Sequence, residues 1–467
     1  MKIKYDLTKV LLICIGSMAV VFSSCKKSLE LDAPLNKIDA STAYTTDATA
    51  TAAIGALYNY GIYNSFSTWL ANVSLLGGIS SDEIHFSYTT TPAISEFENN
   101  LITPANGTNG TFWGSAYAEL LVANAAITGI GASNTLTPSV KSQLLGEAKF
   151  FRAFVNFYLV NYYGGVPLTG SDPLTSATLP RSTTAQVYAS IISDLKEAQT
   201  LLPVAYVGTL KSRVNQHAVT ALLARVYLYQ KDYVNAEAMA TAVIGSGTYT
   251  MATTNSVFMN TSTETILQFA TYYGYSAVAS SYRTAIATAT TVPPNYTLTT
   301  SVVNSFDAGD NRKINWVDST VSGTKFYRIN KYKLYTAATA GAGNEFNVIL
   351  RLAEQYLIRA EARAQQNNLN GAASDVNVIR TRAGLANLST TATATQTSIL
   401  AAIAKERKVE LFGELGHRWF DLLRTGQANT VLSAMKPTTW NATRSVLFPI
   451  PDQQVQQNPA LTQNPGY

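Results

Sequence analysis

The sequence predicts a mainly α fold: a tetratricopeptide-like helical-repeat scaffold that carries a loop-rich variable region. Three observations predict it. Two helix-turn-helix pairs place small and apolar residues at matching offsets, Ala224, Tyr227, Ala236, Ala240 and Val243 in the first and Ala360, Arg363, Ala372, Val376 and Ile379 in the second. Other long segments, heavily aromatic and of helical period, stop at Gly or Pro. Between the two pairs, residues 249–346 turn to Thr, Ser, Tyr, Asn and Gly, a composition that suits loops and short strands.

In chain order, Lys2, Lys4 and Lys9 precede an apolar run from Val10 to Phe22 and the small residues Ser23 and Ser24. A basic start, a run too short to span a bilayer and a small-residue cut site describe an export leader over 1–24. Cys25 follows directly, so its thiol is the expected site of lipidation, and several acyl chains give stable membrane anchoring. Phe22 departs from the aliphatic residue usual three positions before such a cysteine. Cys14 would leave with the leader, so the mature chain has one thiol and no disulfide, and a hydrophobic core must hold it together. Residues 25–40, polar and without strong periodicity, suit a flexible tether to a folded body at 41–467.

Only 13% of residues are charged, and the formal net charge of +5 falls nearer neutrality without the leader's lysines. No basic block stands out, which excludes a nucleic-acid footprint.

The scaffold helices are expected over about 43–245 and 347–424. Helical spacing runs through 43–63, then through Trp113 to Ile127 until Gly129 and Gly131 interrupt it. Leu144 to Tyr163 is a buried aromatic helix closed by Gly164, Gly165 and Pro167. Thr184 to Leu202 carries one stripe of Val187, Ile191, Leu195 and Ala198. The first pair follows, 218–230 and 234–244, broken at Lys231-Asp232, and the second breaks at Asn367-Asn368. Because the sequence between them is not helical, the pairs are expected to stack in space rather than follow as consecutive repeats. A last helix is expected over 398–424. Within it Arg418, Asp421 and Arg424 fall three apart on one face, as charge pairing requires, while Trp419 and Leu422 fall on another. A Pro-rich docking tail, 427–467, ends in TQNPGY.

Several runs carry a family resemblance: GEAKFFRAFVNFYLVNYYGGVPL (146–168), NVILRLAEQYLIRAEARAQQ (347–366), NVIRTRAGL (377–385), KERKVELFGELGHRWFDLLRTG (405–426) and LFPIPDQQVQQNPALTQNPGY (447–467). With the lipoprotein leader, in this order, the chain resembles the SusD/RagB family along essentially its whole length. The resemblance implies a lipid-anchored outer-membrane protein facing the exterior. It also implies a SusC-like TonB-dependent β-barrel transporter as partner and an oligosaccharide or polysaccharide, or in some branches a peptide, as ligand. A protein-interaction module binding along a helical groove is the alternative from another class. The shared motifs are scaffold, so they do not fix the ligand.

Catalysis finds no support in the residues. Asp82-Glu83, Asp307, Asp310 and Asp318 are the loop acids, and none lies in a motif specifying an acid/base pair. His85, His217 and His417 are scattered, with no HExxH, no cysteine cluster, no P-loop and no GxSxG. No cofactor and no transition-metal site are expected, and a structural calcium ion is left open. Sugar recognition needs flat aromatic faces beside short polar and charged groups. Two segments hold both, and this enrichment, with the resembled family's habit of placing ligand on non-scaffold loops, leads to the expectation that aromatics of both line one shallow site. The candidate ligand residues are Trp69, Asn72, Asp82, Glu83, His85 and Tyr88 in one, and Tyr273, Tyr275, Arg283, Tyr296, Asn315 and Trp316 in the other. Aromatics of the second region, Tyr272, Tyr282, Phe326 and Tyr327 included, have loop packing as the competing explanation.

Overall fold

The computed structural model describes residues 42–60, 69–87, 91–271, 274–282, 294–322, 324–334 and 345–467. The longer helices, in chain order, are α1 (Asp47–Tyr60), α2 (Trp69–Ser80), α3 (Gly107–Ala132), α4 (Pro138–Tyr163), α5 (Thr184–Leu201) and α6 (Gln216–Tyr229). They continue with α7 (Tyr233–Gly245), α8 (Leu352–Gln365), α9 (Leu369–Arg382), α10 (Gln396–Leu411), α11 (His417–Arg424) and α12 (Ala428–Met435). The strands are β1 (Ile84–Phe86), β2 (Thr265–Phe269), β3 (Tyr296–Leu298), β4 (Val317–Ser322), β5 (Thr324–Ile329) and β6 (Asn347–Arg351). They form antiparallel ribbons β1–β3, β2–β6 and β4–β5.

The fold is mainly helical, and its two central hairpins are built alike. α6 leads through Gln230, Lys231 and Asp232 into α7; α8 leads through Gln366, Asn367 and Asn368 into α9. In each turn the middle residue is left-handed, Lys231 at φ 59° and Asn367 at φ 64°. The third caps the next helix: Asp232 Oδ1 accepts from Asn235 N at 3.2 Å, and Asn368 Oδ1 accepts from Gly371 N at 3.0 Å. The pairs lie side by side, α7 against α8, and Arg363 Nε reaches Glu237 Oε1 at 2.8 Å between them. Stacking in space, rather than succession along the chain, is what the intervening non-helical stretch called for.

The core centres on α4, where Phe150, Phe151, Phe154, Phe157, Tyr162 and Tyr163 are all fully buried. Phe150 stacks on Phe154 with centroids 5.7 Å apart, and Phe154 meets Tyr158 edge-on at 5.1 Å. α2 and α11 approach closely at Gly77: a Cβ there would meet Tyr162 Oη at 2.6 Å and Gly416 Cα at 2.9 Å.

Beneath β6 runs a belt of buried charge. Arg351 reaches Glu264, Glu410 and Glu414 at 2.9, 2.6 and 2.8 Å, and Arg312 reaches Asp310, Glu406 and Glu410 at 2.8, 2.6 and 3.0 Å. Each of these arginines is met by three carboxylates, as burial demands.

Two expected boundaries move. Residues 347–351 are a strand, not helix, because this short apolar run pairs with β2 and α8 begins only at Leu352. The helix expected over 398–424 is two, α10 and α11, separated where Gly413 and Gly416 take φ of 69° and 68°. A further helix, α12, occupies part of 427–467. The end of the chain lies on α4: Asn464 Nδ2 donates to Tyr163 O at 3.0 Å, and Phe448 N to Tyr162 O at 2.8 Å. No described helix is long and apolar enough to cross a membrane.

Candidate functional site

β1 and β3 bring the two candidate ligand segments together. Ile84 pairs with Leu298, His85 with Thr297 and Phe86 with Tyr296. Bonds beyond the ladder extend the pairing, Ser87 N to Asn295 O at 2.9 Å and Thr299 N to Glu83 O at 3.0 Å. Beside this ribbon stands the β4–β5 hairpin, in which Tyr327 lies opposite Ser319 and Phe326 opposite Thr320. Between them and the segment 435–439 opens a cleft of about 560 Å³. Its walls carry Ile84, His85, Thr297, Thr300, Lys325, Phe326, Tyr327 and Thr438.

Phe326 and Tyr327 are half-buried, so each keeps part of a ring accessible. Lys325 and Tyr327, two apart on a strand, share a face, and Lys325 Nζ sits 5.2 Å from the Tyr327 ring centroid. His85 is hydrogen-bonded to Glu98, which raises its pKa above the ordinary value. Lys436 donates to Ser80 O at 3.0 Å and Asn100 Oδ1 at 2.8 Å, and burial brings its pKa down to about 8.

Most of the other candidate ligand residues are structural, and the expectation that they line a shallow site is corrected. Trp69 is 1% exposed and lies edge-on to Phe154, its Nε1–H donating to buried Glu119. Burial pushes the Glu119 carboxyl up to about 8 against that hydrogen bond. Asn72 is buried within α2. Asp82 is fully buried and accepts from Arg418 Nε at 2.5 Å, Lys408 Nζ at 2.8 Å and Ser301 Oγ at 2.8 Å. Burial alone would raise its carboxyl, but Arg418 and then Lys408 pull it well below the usual carboxylate range. Arg418 therefore binds Asp82 rather than its helix neighbour Asp421, which instead takes Arg407 at 2.7 Å and Arg424 at 2.7 Å. Glu83, raised by burial to about 7, accepts from Gly413 N at 2.6 Å. Tyr296 is buried against Phe86, with ring centroids 5.2 Å apart. Trp316 is fully buried and donates to Thr254 O at 2.6 Å, and Asn315 Nδ2 donates to Thr254 Oγ1 at 2.7 Å. For Trp69, Asp82, Glu83, Tyr296, Asn315 and Trp316 a hydrogen-bond or ring partner from a distant element draws the side chain inward.

Of the candidate ligand residues that fall among the described residues, His85 alone lines the cleft. Tyr275 is half-buried outside it. Tyr88, Tyr272, Tyr273, Arg283 and Cys25 lie outside the described residues, as do the leader and tether. Sequence reasoning missed Glu98, Lys325 and the 435–439 turn; KPTTW at 436–440, with Pro, two Thr and Trp after a helix, was the available signal. The remaining loop acids are engaged: Asp307 with Arg380 and Lys405, Asp310 with Arg312, Asp318 with Arg328. Among the described residues no group of three or more His, Cys, Asp or Glu is placed to hold a metal ion.

Residues 212–467 match the model of the SusD family, and residues 62–228 match a family described as starch-binding and associating with the outer membrane. The chain is 25% identical to SusD-like protein P38 of Formosa agariphila, covering 99% of both proteins. It is 27% identical to SusD-like protein P2 of the same organism over 80% of this chain and 83% of the relative. Among solved structures, a laminarin-binding SusD-like protein superposes with a TM-score of 0.74 at 25% identity, covering 91% of this chain and 100% of that one. Surface glycan-binding protein A of Bacteroides thetaiotaomicron, solved with laminarihexaose, gives 0.75 at 20% identity, covering 90% and 100%.

Proposed function

The chain belongs to the SusD family, and from that premise we propose that it is a non-catalytic surface glycan-binding lipoprotein. It captures oligosaccharide in the cleft beside β1, β3 and β5 and delivers it to a SusC-like TonB-dependent transporter. The observation that carries the reading is the cleft wall itself: two half-accessible rings, Phe326 and Tyr327, beside the hydroxyls of Thr297, Thr300 and Thr438 and the polar heads of His85 and Lys325. A pyranose presents an apolar C–H face to a ring and hydroxyls to such donors and acceptors. The cleft volume of about 560 Å³ lies in the range of small-ligand sites.

The role needs no acid/base pair; Asp82, Asp307, Asp310 and Asp318 are spent on Arg and Lys partners, and Glu83 on the Gly413 backbone N–H. Cys25, behind its leader, would hold the body to the outer membrane on the exterior face, with 25–40 as tether. The laminarin-binding relative makes β-glucans the first ligands to try.

Calorimetric titration with laminarihexaose and maltohexaose, extended to a panel of hexasaccharides, tests the reading. Binding of at least one glycan is expected, weakened about tenfold by Tyr327→Ala, the equivalent of about 1.4 kcal/mol. Absence of binding to every glycan in the panel would reject it.

A further inference from the structure

A second concavity of about 700 Å³ lies between α8, α10, α11 and α12. We propose that it docks an acidic, partly apolar peptide segment of a protein partner, which goes beyond glycan capture and uses none of the cleft residues.

Its chemistry is unlike the cleft's. Six cations line it, Lys231, Lys405, Arg407, Lys408, Arg418 and Arg424, against two carboxylates, Glu361 and Asp421. Asp82 and Asp307 pair with some of these cations from behind, and the lining still holds more cations than these four acids can match. At the floor, Arg407 is only 3% exposed; its Nε and Nη2 donate to Asp421 at 2.7 and 3.0 Å, while Nη1, itself buried, has no hydrogen-bond partner among the described residues. The surplus positive charge is carried at the surface by exposed Lys231 and Lys405, and a carboxylate is the counter-charge that suits an ammonium best.

The occupant is extended and partly apolar because of α10. Thr397, Leu400, Ala401, Ala404, Lys405 and Lys408 recur at three- and four-residue steps, so they form one stripe along the groove. At 1.5 Å per residue the stripe is about 16 Å long, the span of about five extended residues. Half of it is apolar, and Val431 of α12 adds to the wall. A small inorganic anion would leave that stripe uncovered, and a neutral glycan would leave the surplus of positive charge unmatched.

The test pans the whole protein against a displayed library of random dodecapeptides at low salt, then measures the enriched peptides by fluorescence anisotropy. Enrichment of Asp and Glu interspersed with Leu, Ile or Phe is expected, with affinity falling as salt rises. Ala404 is exposed mid-stripe, so substitutions there should spare the fold. Ala404→Glu should weaken these peptides at least tenfold, Ala404→Lys should leave binding equal or tighter, and both variants should titrate glycan as the unaltered protein does. No enrichment, enrichment of neutral or basic sequences, equal weakening by both variants, or self-association of the protein through this face would overturn the proposal. Peptide binding lost with glycan binding intact counts against the groove alone, and the converse against the cleft alone.

Discussion

Trp316 and Tyr327 belong to one stretch of chain, the short helix Asn311–Trp316 and the β4–β5 hairpin that follows it, yet they have opposite fates. Trp316 is fully buried, its indole N–H on Thr254 O and Lys331 Nζ 4.8 Å from its ring, directly over the charged belt. Tyr327 stands on the cleft wall with its ring half-accessible beside Lys325. Aromatic type and membership of a loop-rich region do not separate a ligand platform from a core residue. The presence of a buried polar partner does.

The largest effects should come from the buried side of this contrast. Arg351→Met would leave Glu264, Glu410 and Glu414 short of their shared cation, at a cost of about 3–5 kcal/mol. Thermal denaturation should show the loss, and an unchanged Tm would show the belt to be incidental. Trp316→Ala should cost about 3–5 kcal/mol of stability through the cavity it leaves. Glycan affinity of the folded fraction should stay within about twofold of the unaltered protein, equivalent to about 0.4 kcal/mol. A selective affinity loss without destabilisation would return Trp316 to the binding site.

A smaller, pH-dependent effect comes from Glu119. Its folded pKa, about 8, stands above the ordinary 4.5, so the native state holds the proton more tightly than the unfolded chain. The resulting stability is fully present below the unfolded pKa and is lost as pH rises through about 8. Glu119→Gln, which keeps an acceptor for Trp69, should therefore raise Tm by a few degrees at pH 9 and change it little at pH 4. Equal shifts at both pH values would contradict the buried protonated carboxyl.

The helical frame was legible because its signals are local. The 3.6-residue period, the small residues at matched offsets and the polar turns at 230–232 and 366–368 are all read from neighbours in sequence. The strand at 347–351 was not, since a short apolar run fits helix or strand and only pairing with β2 decides. The site was largely illegible for the same reason. Asp82 looked like an exposed loop acid, but its partner Arg418 is 336 residues away, and nothing near Asp82 announces it. Segment 79–85 is thus a strut: Ser81, Ile84 and His85 face the cleft, while Asp82 anchors the cations of the opposite groove. That the two candidate segments meet was expected from composition and the family resemblance, and β1 and β3 join them, whereas the residues that line the meeting point are mostly others.

The central claim is that half-accessible rings on β5, not the buried tryptophans, receive the glycan. It is tested most directly by titrating the best-binding hexasaccharide into the unaltered protein and into Tyr327→Ala, with Tm measured on both. The account predicts affinity about tenfold lower, equivalent to about 1.4 kcal/mol, with Tm essentially unchanged. Unaltered affinity in a fully folded Tyr327→Ala protein would contradict it.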